Sequence, residues 1–171
     1  TPGTKLLLTT YTNADEVELL VNGKSYGIKK NDKANPKMRN QIRWENVVYQ
    51  DGNCEAIART NGKVVARHKI VTVGKAVALK AVADNSDWKA DGMDLQHIRI
   101  IAVDSKGRRV PNAVAEVKVN VVGDAQLVAM SNGNINSDEL NVTDHQSLFN
   151  GSCLAILRSG LASSPVIVNI S

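Results

Sequence analysis

The sequence predicts an all-β protein, on three observations. Six of its twelve glycines stand directly behind an Asn or Asp: Asn22-Gly23, Asp51-Gly52, Asn61-Gly62, Asp91-Gly92, Asn132-Gly133 and Asn150-Gly151. Such pairs accept positive φ at both central positions of a type I′ turn, whose twist matches that of paired strands. Between them lie β-branched runs in which every second residue is apolar, the period of a half-buried strand. No stretch carries the 3.6-residue repeat of an amphipathic helix.

Taken in order, 6–10 and 17–21 read as the first two strands. Val17, Leu19 and Val21 alternate with Glu16 and Glu18. The Asn22-Gly23 turn leads into Lys24-Ser25-Tyr26, and a polar loop over 29–40 follows with Pro36 and five basic residues. Strand signals resume at 41–44, 47–49 and 53–59, then at 64–73 behind Asn61-Gly62. Alternation breaks at Thr72-Val73-Gly74-Lys75-Ala76, which marks a linker. A second series begins at 77–83 and continues at 95–103, with Ile98, Ile100 and Ala102 on one face and His97 and Arg99 on the other. After the Asp104-Ser105-Lys106-Gly107 turn, Val117, Val119 and Val121 alternate with Glu116, Lys118 and Asn120. Segments 127–130, 153–158 and 166–170 complete about seven strands, and short strands separated by frequent turns are the signature of a sandwich. Two domains are therefore expected, 1–74 and 75–171. The polar stretch 132–146 is too long for a simple hairpin and reads as a functional loop or an edge excursion.

Hydrophobic residues make up 43 % of the 171, enough for a core, and aromatic residues only 4 %, so Val, Ile, Leu and Ala must build it. The formal charge is +4, from 21 basic and 17 acidic residues scattered along the chain. That describes a solvated basic surface, without the basic clusters and interleaved aromatics of a nucleic-acid face. No run approaches the roughly 20 apolar residues of a membrane helix. No signal peptide opens the chain, which fits either a cytoplasmic protein or a piece of something longer. Cys54 and Cys153, almost a hundred residues apart, each sit in a strand-like run and read as free thiols packed as small hydrophobes.

Chemistry is sparse. Glycoside hydrolysis needs two carboxylates about 5–10 Å apart, one of them kept protonated by its surroundings. Glu16 and Glu18 share a strand face, but so does the solvent side of any edge strand. His68, His97 and His145 are isolated, no Gly-x-Ser-x-Gly elbow occurs, and zinc spacings are missing, so no catalytic residue, metal ligand or cofactor site is assigned. Asp84-Asn85-Ser86-Asp87 and Asn136-Ser137-Asp138-Glu139 offer clustered oxygens without the EF-hand order. Sugar sites favour exposed aromatic plates, since the apolar faces of sugar rings pack on them. Trp44 lies in a strand near Tyr49, where packing in a small core is the favoured role. Trp88 lies in the polar stretch 84–92 and is the best single candidate for an exposed ring. Trp88 and Trp44 are thus the two candidate contacts to carbohydrate or to a neighbouring domain.

Three groups of residues point to a family. The first is the run 11–27, from Tyr11-Thr12-Asn13-Ala14 to Asn22-Gly23-Lys24-Ser25-Tyr26-Gly27. The second is Arg43-Trp44-Glu45 with Val48-Tyr49, Asp51-Gly52 and Asn61-Gly62-Lys63-Val64. The third joins Lys89-Ala90-Asp91-Gly92-Met93-Asp94-Leu95, Val103-Asp104-Ser105-Lys106-Gly107, Val110-Pro111-Asn112-Ala113, Ser131-Asn132-Gly133 and Leu148-Phe149-Asn150-Gly151-Ser152-Cys153. In order and spacing these resemble the C-terminal accessory region of bacterial glycoside hydrolase family 2 enzymes, the β-galactosidase-like proteins, over nearly the whole chain. One departure is local: members often carry a His in the loop after the Asn-Gly turn, where this chain has Asn136-Ser137-Asp138-Glu139.

The resemblance implies a small sandwich of unassigned function followed by a bacterial immunoglobulin-like domain of the invasin type, hence two tandem immunoglobulin-like sandwiches. It implies that the catalytic glutamates belong to a TIM barrel earlier in a parent polypeptide, so the partners would be that barrel and its sister domains. It implies a periplasmic or extracellular parent. The expected function is non-catalytic support of the barrel. The alternatives are a carbohydrate-binding module acting on polysaccharide, motivated by Trp88 and the 132–146 loop, and a surface adhesin or spacer repeat.

Overall fold

The computed structural model describes residues 1–171 and contains strands and turns without helices. It divides into two compact units, Thr1–Thr72 and Val73–Ser171.

The first unit holds β1 (Lys5–Tyr11), β2 (Glu16–Val21), β3 (Lys24–Lys30), β4 (Gln41–Val48), β5 (Asn53–Thr60) and β6 (Lys63–Val71). A four-stranded antiparallel sheet in the order β3-β2-β5-β6 faces the β1-β4 pair. Val17, Leu19 and Val21 of β2 pack on Ile42, Trp44 and Val47 of β4, with Ala14 and Ala58 closing the cluster. Alternation in β2 is as expected, because only its odd positions turn inward. The segments 41–44 and 47–49, expected as two strands, form one. A bulge sets Glu45 and Asn46 opposite Leu7, between the pairs Leu8↔Trp44 and Leu6↔Val47. Asn46 takes φ 56 there, and the extra residue lets both Trp44 and Val47 face the core. The expected polar loop starts later than read, since Lys29 and Lys30 still belong to the edge strand β3.

The second unit holds β7 (Ala78–Ala83), β8 (Leu95–Val103), β9 (Glu116–Val122), β10 (Ala125–Ser131), β11 (His145–Ser147), β12 (Ser152–Ser159) and β13 (Ile167–Ile170). Its sheets run β10-β12-β8-β7 and β11-β9-β13. Between them lies a core of Ile98, Ile100 and Ala102 from β8, Val117 and Val119 from β9, and Cys153, Ala155 and Leu157 from β12, joined by Met130 and Leu148. β11 falls at the end of the polar stretch and pairs with β9 through His145↔Lys118, Gln146↔Val117 and Ser147↔Glu116. Three residues are too few for a period-two pattern to register.

The turn glycines divide. Asn22-Gly23, Asn61-Gly62 and Asn150-Gly151 hold positive φ at both residues, as a type I′ hairpin requires, and connect β2 to β3, β5 to β6 and Phe149 to Ser152. In the other three pairs only the glycine is left-handed, and the chain runs into longer loops.

The second unit is pinned near its start by Asp104, which is 3 % exposed. Its Oδ1 accepts the N–H groups of Lys106 (2.9 Å) and Arg108 (3.0 Å), and its Oδ2 accepts Gly74 N–H (3.0 Å) and the Arg108 guanidinium (2.7 Å). The Arg108 side chain, followed by Gly74 N–H, holds this carboxyl far below its ordinary pKa. A group acidified by folding stabilises above its unfolded pKa of about 3.9 and loses that contribution as pH falls through the folded value. Asp104→Asn is therefore expected to lower the denaturant midpoint strongly at pH 7. The gap from the unsubstituted protein should narrow at pH 3, as guanidinium titrations at the two pH values would record.

Candidate functional site

One end of the second unit carries a cleft of about 340 Å³, lined by Trp88, Lys89, Asp124, Ser163, Ser164 and Val166 among others. The loop 84–94 that presents Trp88 is held by its own acids. Asp91 Oδ1 accepts the N–H groups of Met93 (2.9 Å) and Asp94 (2.7 Å), and those bonds lower its pKa. Asp94 Oδ2 accepts Lys89 N–H at 2.9 Å, and the Asp94 carbonyl accepts the Trp88 indole N–H at 3.0 Å. Gly92 N–H bonds the Gly160 carbonyl and Ser159 N–H the Asp94 carbonyl, which fastens the loop to the end of β12. Trp88 is half-buried and packs partly on the main core cluster. Across the cleft, Asp124 Oδ2 accepts Ala162 N–H at 2.7 Å. Its carboxylate lies where a side chain at Gly160 would stand, since a Cβ there would come within 2.1 Å of Asp124 Cγ. Nothing local in the sequence marks Asp124, because the turns at 123–124 and 159–160 that meet here are far apart in the chain.

Trp44 lies elsewhere. At 2 % exposure its ring is closed off from any sugar, which removes it as a carbohydrate contact. The cause is the bulge that turns it into the core. Lys29 Nζ sits 5.1 Å from the Trp44 ring centroid, and the indole N–H has no partner. The two candidate tryptophans belong to different units.

The stretch 132–146 is organised around Glu139. Its Oε2 accepts from Asn132 Nδ2 (3.0 Å), Ser137 Oγ (2.9 Å) and Gln146 Nε2 (3.0 Å), and its Oε1 accepts Ser147 N–H (3.0 Å). Ser147, then Ser137 and Gln146, hold its pKa down at about 2. A carboxylate so fully hydrogen-bonded is a structural anchor of the loop. Glu139→Gln replaces one accepting oxygen with a donor facing donors, and is expected to loosen 132–146 while leaving β8 and β12 intact. Faster amide exchange confined to 132–147 would be the signature, and unchanged protection there would contradict it.

Other acidic side chains are similarly engaged. Glu18 is paired with Arg59 (2.9 Å) and Ser25 (2.8 Å), Arg59 being the first cause of its lowered pKa. Asp84 bonds Arg99 at 2.7 Å, and Asn85 exchanges bonds with Gln96. Asp144 bonds His145 and Lys118, and raises the histidine's pKa. Every carboxyl with a resolved shift is made more acidic. No group of three or more His, Cys, Asp and Glu side chains converges as metal ligands do. Both cysteines are free, and burial pushes the Cys153 thiol up to about 11, which keeps it protonated and inert.

Residues 79–171 match the family described as glycoside hydrolase family 2 C-terminal domain 5, and residues 3–66 match a domain of unknown function, DUF4982. The chain is 37 % identical over 160 residues to the beta-galactosidase BoGH2A of Bacteroides ovatus, covering 93 % of this chain and 18 % of that protein. It is 29 % identical over 145 residues to a beta-glucuronidase of Formosa agariphila, covering 84 % of this chain and 14 % of that one. A crystal structure of a glycosyl hydrolase family 2 member from Bacteroides cellulosilyticus superposes with a TM-score of 0.93 at 33 % identity, over 99 % of this chain and 23 % of the other. The chain thus spans less than a quarter of the length of these relatives.

Proposed function

The chain belongs to the glycoside hydrolase family 2 C-terminal domain 5 family, and on that premise we propose that it is the non-catalytic accessory region of a β-galactosidase-type hydrolase. Its two units act as immunoglobulin-like sandwiches that buttress a catalytic barrel in the same parent polypeptide, which works in the periplasm or outside the cell. The observation that carries this reading is the pattern of coverage. Similarity runs through both units yet takes up 18 % of the beta-galactosidase from Bacteroides ovatus, leaving most of that protein for other domains.

The electrostatics support it. A glycosidase acid is a carboxyl whose pKa is raised by its surroundings, whereas Asp15, Glu18, Asp91, Asp104, Glu139 and Asp144 are all shifted the other way. Such groups are ionised and occupied by N–H and O–H donors at neutral pH, which suits them to holding turns. The same coding sequence is expected to specify a barrel domain with paired glutamates. Sequencing the flanking DNA tests this directly, and a run of further sandwich repeats in place of a barrel would favour the adhesin reading.

A further inference from the structure

We propose that the Trp88 cleft is a binding site for a neutral saccharide, so that the accessory region contacts glycan itself as well as supporting a barrel. The inference goes beyond the accessory reading and does not depend on which sugar the parent hydrolyses.

Size comes first. A volume of about 340 Å³ lies inside the roughly 300–1,000 Å³ range of small-ligand sites. The lining then selects the chemistry. Trp88 contributes indole surface, on which the C–H faces of a sugar ring pack as other apolar groups do. Its N–H is already bound to the Asp94 carbonyl at 3.0 Å, so the ring is fixed in place before any ligand arrives. Preorganisation of this kind reduces the ordering cost of binding.

Asp124 is exposed and accepts Ala162 N–H through Oδ2 at 2.7 Å, and a carboxylate has lone pairs for further donors. Lys89 is exposed, and its backbone N–H rather than its ammonium is held by Asp94. Ser163 and Ser164 add exposed hydroxyls along the same wall. One Lys and one Asp leave the lining without net charge. An anionic ligand would meet the Asp124 carboxylate and a cationic one the Lys89 ammonium, each with a repulsive partner. A neutral polyol can instead donate to Asp124, accept from Lys89 and exchange either role with the serines. Gly160 is part of this arrangement, because any side chain there would displace the Asp124 carboxylate.

The structure also separates this site from the 132–146 loop. Glu139, the carboxylate of that loop, is fully engaged by Asn132, Ser137, Gln146 and Ser147. It offers a ligand nothing comparable.

The test is affinity electrophoresis of the 171-residue protein in gels containing galactan, xylan or mannan, with polygalacturonate as an acidic control. Retardation is expected in at least one neutral gel. Lys89→Ala and Asp124→Asn should each weaken it about tenfold, the scale of one charge-assisted hydrogen bond. A second readout guards against misfolded variants. In the Trp44→Phe background Trp88 is the sole indole, so its emission should change on addition of the retained saccharide. Migration unchanged in every neutral gel would overturn the proposal. So would equal retardation of the protein and both variants, or retardation in polygalacturonate alone. Those outcomes leave the accessory reading standing, whereas glycoside turnover by this chain would defeat that reading and leave the cleft result untouched.

Discussion

Trp44→Ala is expected to remove about 3–5 kcal/mol of unfolding free energy, the usual range for deleting a buried aromatic side chain. Area bookkeeping agrees. An indole buries about 150–250 Å², which at about 25 cal/mol per Å² corresponds to roughly 4–6 kcal/mol. Trp44 is the one aromatic residue in a cluster otherwise made of Val, Leu, Ile and Ala, so no neighbour of similar size can move in to fill the space. A unit of this size has only roughly 4–11 kcal/mol of stability in total, at about 0.05–0.15 kcal/mol per residue. The variant should therefore sit at or beyond the edge of folding, visible in guanidinium titrations followed by circular dichroism. Trp44→Phe is the informative partner. It keeps most of the ring and deletes an indole N–H that has no hydrogen-bond partner, so its cost should be less than half that of the alanine variant. Near-equal losses for the two would show that the ring's burial is not what matters.

Gly151→Ala should be the most damaging glycine substitution in the second unit. Gly151 has φ +72, and a Cβ there would lie 2.0 Å from the Val110 carbonyl oxygen and 2.9 Å from its carbon. The left-handed conformation alone costs a non-glycine residue about 1–2 kcal/mol. The clash adds to this, because backbone is in the way and Val110 is itself held by its N–H bond to Ala102. Gly133 supplies the control: φ +74 with nothing within 4 Å of a built Cβ. Gly133→Ala thus reports conformational strain by itself, and Gly151→Ala should cost at least twice as much in chemical denaturation. Equal costs would mean that the Val110 segment yields freely.

Much of the fold was legible because the strands that matter most are the most regular. The β8 limits Leu95–Val103 and the inward set Ile98, Ile100 and Ala102 follow from period two alone. So do Val117 and Val119, at 0 and 2 % exposure. Legibility failed where local pattern and tertiary context disagree. Glu45 and Asn46 interrupt the alternation and read as a break, yet they are the bulge of one strand. Lys29 and Lys30 look like loop residues because β3 is an edge strand exposed along its length, with no buried face to impose a pattern. Of the candidate site, Trp88 was visible as an unusual aromatic in a polar stretch. Asp124 and Gly160 were not, since the contact between them joins two unremarkable turns, and nothing local to either turn reports the other.

Incubation of the purified chain with aryl β-galactoside and aryl β-glucuronide is the most direct test of the claim that this region supports chemistry performed elsewhere. The account predicts no release of aglycone above the blank between pH 4 and 8. Release that scales with protein concentration and disappears on replacing one of the chain's own carboxylates would contradict it.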